Sequence, residues 1–494
     1  MRVGSLLIAG IMVITIALAA APAPRAVQAL RFGQLWDGSR LIPRAVVVVE
    51  GDRIVSVGTD ARAIPAGAQT IDLSRFTAIP GLIDLHTHMT YIWSGEPGTR
   101  PLGQPARDSS ETVRLAGANA RRTLETGVTT VRDLGASRGT DMAMRDLINA
   151  GRMAGPRMFV AGPGISAGRG PAPDAAAMQQ TTEARLATPA DWVKVYASRG
   201  SFQSVDTTQT IGFDALRVIV DTAHAKGRKV AIHSYGPSGV KDAVRAGADS
   251  VEHGIDLDDE TLAEMVKRGT VWVPTIDHNR YYVDARDEYG FAAGAIAPLQ
   301  AYIEKNLEST RRAVKAGVRV GMGSDAVYSM FGQNTRELGW FVKAGMTPAQ
   351  ALASATTIGA DLLGMSDRLG RLAPGYLADI VAVEGNPLDR IDVLFTGVRW
   401  VMKDGVVAAD LRRAEGKGQR AVLSYRPPPP PGGGISRSGR MIRFSMKNSI
   451  MRWLLMPEWP ASGPTWTSKL LPACCSARIS CIELFGCTLL SAVP

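Results

Sequence analysis

Between residues 77 and 325 the chain repeats one theme: a short apolar, β-branched run, a loop, then a stretch with helical periodicity. Candidate strands are Ala78–Leu85, Val128–Leu134, Arg157–Ala161, Trp192–Tyr196, Lys229–His233, Ser250–His253, Val271–Thr275 and Arg319–Ser324. Helical patterns separate most of them, as in Phe213–Lys226, apolar at Leu216, Val218, Ile219 and Ala223, and in Gly239–Ala246. Strands that alternate with helices run parallel and are joined by right-handed crossovers. Eight such units close most economically into an α/β fold, a (β/α)8 TIM barrel whose chemistry sits at the C-terminal strand ends. A barrel takes about 250 residues, so a chain of 494 has room for a second module.

That module is expected from two β-rich flanks. Residues 30–76 include Ala45–Gly58, two strands around a Gly51-Asp52 turn, and residues 371–410 include Gly375–Val383, Val393–Phe395 and Trp400–Val407. Neither flank buries a core alone, so 30–76 and 371–425 should pair into a small β-sandwich beside a barrel of 77–370. After the eighth strand, Thr347-Pro348-Ala349-Gln350 opens a helix with a Thr cap, Pro at the first position and Gln completing a capping box.

The two ends read differently from the body. Met1-Arg2, an uncharged apolar run Val3–Ala21 and small residues up to Ala29 have the layout of a signal peptide, 1–29. Ala19-Ala20-Ala21 and Val27-Gln28-Ala29 are its cleavage options, and the implied location is periplasmic or secreted, with no stable membrane span after cleavage. From residue 426 onward the periodic pattern stops at a run of five prolines and three glycines. All four cysteines (Cys474, Cys475, Cys481, Cys487) lie there, so the body needs no disulfides or thiolate ligands. The net charge of +10 is concentrated towards the same end, since 12 basic and 3 acidic residues follow residue 410, against 44 and 43 before it. A nearly neutral body argues for no nucleic-acid partner. The tail 426–494 is expected to lie outside the domain, as a basic appendage or a shifted reading frame.

The chemistry is carried by strand ends. Asp84-Leu85-His86-Thr87-His88 closes the first strand, and histidines at i and i+2 point to one face, which makes a metal half-site. If a metal sits there, further ligands should end other strands. Lys194 lies in the fourth, His233 ends the fifth, His253 ends the sixth and Asp325 follows the eighth. Each residue alone has a plain structural reading: a helix-capping Asp, a solvent-facing Lys, a core His. Six of the right types in strand order argue for a metal centre, and four of the chain's six histidines stand among them.

With His86-Thr87-His88, Lys194, His233, His253 and the Gly323-Ser324-Asp325 ending in place, residues 30–410 resemble the binuclear branch of the amidohydrolase superfamily. The resemblance implies that His86, His88 and Asp325 hold one divalent ion and His233 and His253 another, with Lys194 N-carboxylated as a shared ligand. A lysine ammonium repels a dication, whereas its carbamate is an anionic oxygen donor. Imidazole and oxygen ligands suit zinc, with manganese or cobalt as substitutes. The implied reaction is attack of a metal-bridging hydroxide on an amide carbonyl. Asp325 is the catalytic residue that takes the proton and delivers it to the leaving nitrogen.

Val193–Gly200, Ala231–Gly236 and Gly323–Tyr328 resemble most the imidazolonepropionase-like group, with its Xaa-Pro dipeptidases and ochratoxin-type amidases. That resemblance implies a small amide substrate with a free carboxylate, met by Arg199, Tyr235 and His278. Arg280 follows the seventh strand as a further candidate, whereas His224 reads as a surface residue. The alternatives are a cyclic amidase like imidazolonepropionase, against which Lys194 in the bridging position argues, or a lactonase or phosphotriesterase with the same metal set. A non-catalytic scaffold would characteristically have lost ligands that this chain keeps. Self-association into a homo-oligomer stays open.

Overall fold

The computed structural model describes residues 26–412 apart from 94, 96–97, 103, 169–173 and 202–203. The expected signal segment before residue 26 and the tail from 413 onward lie outside the described residues.

Parallel strands carry the centre of the chain. Leu82–Thr87, Val128–Asp133 and Arg157–Val160 form one arc, and Ile165–Ser166, Trp192–Tyr196, Lys229–His233, Ser250–Glu252 and Val271–Val273 form another. The arcs meet at Asp191, whose amide donates to Val160 at 2.7 Å. On the far side the segment 319–326 bridges them. Trp272 donates to Arg319 (2.9 Å) and Gly321 to Trp272 (2.9 Å), while Leu85 donates to Met322 (2.8 Å) and His88 to Ala326 (3.1 Å). Glycine is required in this segment: a Cβ on Gly323 would stand 2.3 Å from a Val273 methyl and 2.9 Å from the His86 Cβ.

The intervening helices follow from their periodicity. Phe213–His224 buries Leu216, Ile219, Val220 and Ala223, one stripe at helical spacing, against the arc. Pro237–Ala246 starts with Pro in the first turn and ends at Gly247 in the left-handed region. Pro348–Ser354 has the reciprocal Thr347–Gln350 capping box expected from the sequence. No helix of the described residues is long and apolar enough to cross a membrane.

The second sheet joins residues from both ends of the described chain. Its eight strands run Val406–Asp410, Val398–Lys403, Ile380–Val383, Gln69–Pro80, Val27–Trp36, Val46–Glu50 and Arg53–Gly58, with Leu41–Pro43 on Val27–Trp36. Leu30, Phe32, Val47, Leu73, Ile380 and Trp400 share its core. Arg157, on a strand of the parallel arc, donates to Asp379 at 2.9 Å and to Asp404, linking the two sheets.

Two sequence expectations are corrected here. Ala78–Leu85 is two elements: Ala78-Ile79-Pro80 ends the long strand of the second sheet, and Leu82 starts the first parallel strand. Gly81 makes the hand-over, where a Cβ would meet the Thr129 hydroxyl at 2.2 Å. Val393–Phe395 is a short helix, Val393–Thr396, because three apolar residues carry no period to distinguish the two states. The cleavage option Val27-Gln28-Ala29 falls inside the first strand, where these residues pair with Glu50-Val49-Val48.

Candidate metal centre

Because the strands are parallel, their C-terminal ends gather at one mouth. His86 lies within Leu82–Thr87 and His88 follows it, Lys194 is in Trp192–Tyr196, His233 ends Lys229–His233, His253 follows Ser250–Glu252, and Asp325 lies in the bridging segment. All six are buried. The rings of His88 and His86 are 5.4 Å apart, those of His86 and His253 5.2 Å, and those of His253 and His233 4.5 Å. His86, His253 and Asp325 bring one ligand atom each within 4.8 Å of one another. Asp325 Oδ1 is 3.2 Å from His88 Nε2 and 3.5 Å from His86 Nε2. The structure thus brings the strand-end residues into one cluster.

The backbone bends to make this arrangement. His253, Thr275 and Asp325 take positive φ values of 66°, 51° and 51°. Side-chain-bearing residues rarely adopt that region, least of all a β-branched Thr, and such strain concentrates at functional sites.

Outer partners fix each imidazole. His86 Nδ1 is 2.9 Å from Glu252 Oε2 and His88 Nδ1 is 3.0 Å from the Gly135 carbonyl. Both partners only accept, so both Nδ1 atoms carry the proton and both Nε2 atoms present lone pairs. His253 Nδ1 meets the Thr275 hydroxyl at 2.7 Å, and His233 bonds the Gly200 backbone.

In the neutral rings those lone pairs face a buried Asp325 oxygen, and in the metal-free protein the carboxylate outweighs burial, raises the His88 pKa and favours a second proton on that ring. His233 Nε2, Lys194 Nζ and Asp325 Oδ1 are also buried without a hydrogen-bond partner. Unpartnered buried polar atoms are costly, and a divalent cation is the group that converging neutral imidazoles and a carboxylate fit. The donor set therefore suits bound metal.

The electrostatics agree. Burial, reinforced by the Lys194 charge, lowers His86 to about 4 and His233 to about 3, so both stay neutral as ligands must. Burial likewise pushes the Lys194 amine down to about 8. Burial alone would raise the Asp325 carboxyl, but His278, His86 and His88 outweigh it and hold it well below the usual range.

Of the proposed substrate residues, His278 is in the cluster, with Nε2 3.2 Å from Asp325 Oδ2. Tyr235 is buried beside it, its ring 5.1 Å from His233 and 4.9 Å from His253. Arg199 is exposed, and its charge acts on Asp206. Arg280 is bound to Asp277 and Asp284. His224 is at the surface, 2.8 Å from Asp249.

Sequence reasoning passed over Arg132 and Glu252, both fully buried. The signal was weak: Arg132 stands beside a second charge in Val128-Thr129-Thr130-Val131-Arg132-Asp133, and Glu252 closes the three-residue strand Ser250-Val251-Glu252.

Relatives carry the same architecture. The chain is 28% identical over 399 residues to ochratoxinase of Aspergillus niger, covering 72% of this chain and 80% of that one. It is 26% identical over 376 residues to imidazolonepropionase of Streptomyces griseus subsp. griseus, covering 70% and 86%. A solved Xaa-Pro dipeptidase with methionine bound in its active site superposes with a TM-score of 0.70 at 29% identity, over 77% of this chain and 99% of that one. Residues 77–408 hold all six residues of the cluster and match the amidohydrolase family model, and this chain belongs to that family.

Proposed function

We propose that the protein is an exported, zinc-dependent hydrolase that cleaves the amide C–N bond of a dipeptide or an N-acyl amino acid. One observation carries the reading: imidazole nitrogens, a lysine amine without a hydrogen-bond partner and a carboxylate oxygen converge at strand ends, all buried. The bonds of segment 319–326 to Trp272 on one side and to Leu85 and His88 on the other support closure of the arcs into a (β/α)8 barrel.

In this reading His86, His88 and Asp325 would hold one ion and His233 and His253 the other, with Lys194 shared as its carbamate. Divalent ions in such a site lower the pKa of water and polarise the scissile carbonyl. Asp325 takes the proton released as water attacks and passes it to the leaving nitrogen. His278, next to the other Asp325 oxygen, keeps that carboxyl oriented. Tyr235 and His278 are the substrate contacts the cluster geometry favours; Arg199 is exposed, and its charge acts on Asp206. A free amino acid in the active site of the related Xaa-Pro dipeptidase supports an amino acid as leaving group.

The test is a substrate screen with metal-free and zinc-loaded protein. Dipeptides and N-acyl amino acids should be hydrolysed by the loaded form only, ahead of a lactone, a phosphotriester and a cyclic amide. Turnover of one of those three with no hydrolysis of linear amides would overturn the assignment.

A further inference from the structure

The Arg132–Glu252 pair lies under the metal cluster and touches both halves of it. Arg132 projects from Val128–Asp133 with its guanidinium 4.5 Å from the Trp192 ring, and no part of the side chain reaches solvent. Its Nε donates to the Leu85 carbonyl at 2.6 Å, one residue before His86. Its Nη1 donates to Ser250 Oγ at 2.8 Å and its Nη2 to Glu252 Oε1 at 2.9 Å, one residue before His253. Ser250 Oγ donates to the same Glu252 oxygen at 2.5 Å, which leaves Oε2 for His86 Nδ1 at 2.9 Å. A single buried guanidinium therefore joins strands one, two and six directly beneath the two histidines, whose rings are 5.2 Å apart.

We infer that Arg132 and Glu252 are positioning residues, a cross-strand strut that fixes the His86 tautomer and sets the spacing between the two metal half-sites. His86 is the one cluster histidine backed by a carboxylate; Gly135, Gly200 and Thr275 back the others with neutral groups. A carboxylate on Nδ1–H raises the donor strength of Nε2 and stops the ring from turning, and losing such a partner weakens metal binding by about 10–100-fold. A plain stabilising role is poorly served by this pair, because a buried ion pair gives little or no net stability over an apolar pair of similar volume. The inference rests on the metal-centre reading above.

The experiment measures zinc affinity by chelator competition and the unfolding temperature of the metal-free form, on the full chain. Glu252→Gln leaves Arg132 unpaired and risks unfolding, so the decisive variant is the double substitution Arg132→Met with Glu252→Gln, which removes both charges together. Ser250→Ala is a milder variant that keeps the charges paired. The double variant should stay folded when metal-free and bind zinc about 10–100-fold more weakly; Ser250→Ala should show a smaller loss in the same direction. The cobalt-loaded double variant should also differ from wild type in its visible absorption, a readout that overall stability does not move. Wild-type affinity and an unchanged cobalt spectrum in either folded variant would overturn the strut. Wild-type protein that takes up no zinc would remove the metal centre itself, and the strut with it.

Discussion

Asp325 illustrates how one residue is shaped for two tasks. Its φ of 51° turns the side chain in over the strand ends, where His278 faces one oxygen and His86 and His88 face the other. Asp325→Asn keeps the shape and an oxygen donor but cannot take a proton. Hydrolysis should fall by about 10²–10⁴-fold, the range for a lost general acid–base, while fold and most metal binding survive. Rate, metal content and thermal unfolding on one preparation check all three, and a near wild-type rate would take Asp325 out of the mechanism. The histidines make a separate prediction about pH. Folded, His86 and His233 titrate at about 4 and about 3; unfolded, near 6.5. Below pH 6.5 the unfolded chain binds protons that the folded chain refuses, so these two groups destabilise the metal-free fold as pH falls. Asp325, with its pKa lowered, adds to the loss at still lower pH, whereas His88, with its pKa raised, gives a stabilisation that sets in above 6.5 as pH falls and is complete below it. Asp84 and Asp133, raised by burial to about 6 and about 7, take up protons in the fold over the same range and work the other way. The histidines are therefore read directly: in metal-free protein the imidazole NMR signals of His86 and His233 should stay those of neutral rings down to about pH 5, and charged rings at about pH 6 would mean that burial does not hold them neutral.

The elements that present these residues were legible where a period or a pairing of residue types marked them. His86 and His88 share a strand face by period 2, Lys194 interrupts the run Trp192–Tyr196, and His233 and His253 each sit where an apolar run stops. Legibility failed where contacts rather than periods decide. Nothing local tells Ala78-Ile79-Pro80 that it belongs to one sheet and Leu82 to another, because long-range pairing with Ile380–Val383 makes the difference. Glu337 was equally silent. It starts the helix Glu337–Lys343, yet its fully buried carboxylate accepts from the amides of Ile276 (2.9 Å) and Asp277 (2.7 Å). Those amides open the helix Ile276–Asp284, which carries His278 towards Asp325. Glu337→Ala should leave two buried donors unpaired and lower stability by about 2–3 kcal/mol. It should also reduce turnover more than substrate binding, since His278 loses its placement. Denaturant unfolding and a kcat-against-KM comparison check both, and unchanged stability would show that water or a neighbour takes over the amides.

At the scale of the whole molecule, the region that builds the centre is bounded by one mixed sheet. That sheet starts with Val27–Trp36 and finishes with Val406–Asp410, after which Arg412 folds back onto Asp410 at 2.8 Å and the Asp72 carbonyl at 3.4 Å. Every cluster residue lies between His86 and Asp325, and the Arg157 link to Asp379 and Asp404 lies within 27–410. A chain ended after residue 426 therefore keeps every described ladder, the link between the sheets and all six cluster residues. It loses the run of prolines and the four cysteines. Such a protein should fold with the same unfolding temperature as the full chain and, by metal analysis, carry close to two divalent ions. A value settling at one would favour a mononuclear centre and move Lys194 out of the ligand set. Lys194→Ala in the same background separates the cases: if the lysine joins two half-sites, its loss should strip most of the metal, because two cations would face each other without an anionic group between them. Partial recovery of metal and activity on adding a short-chain carboxylate would support the shared-ligand role, and unchanged metal content would refute it.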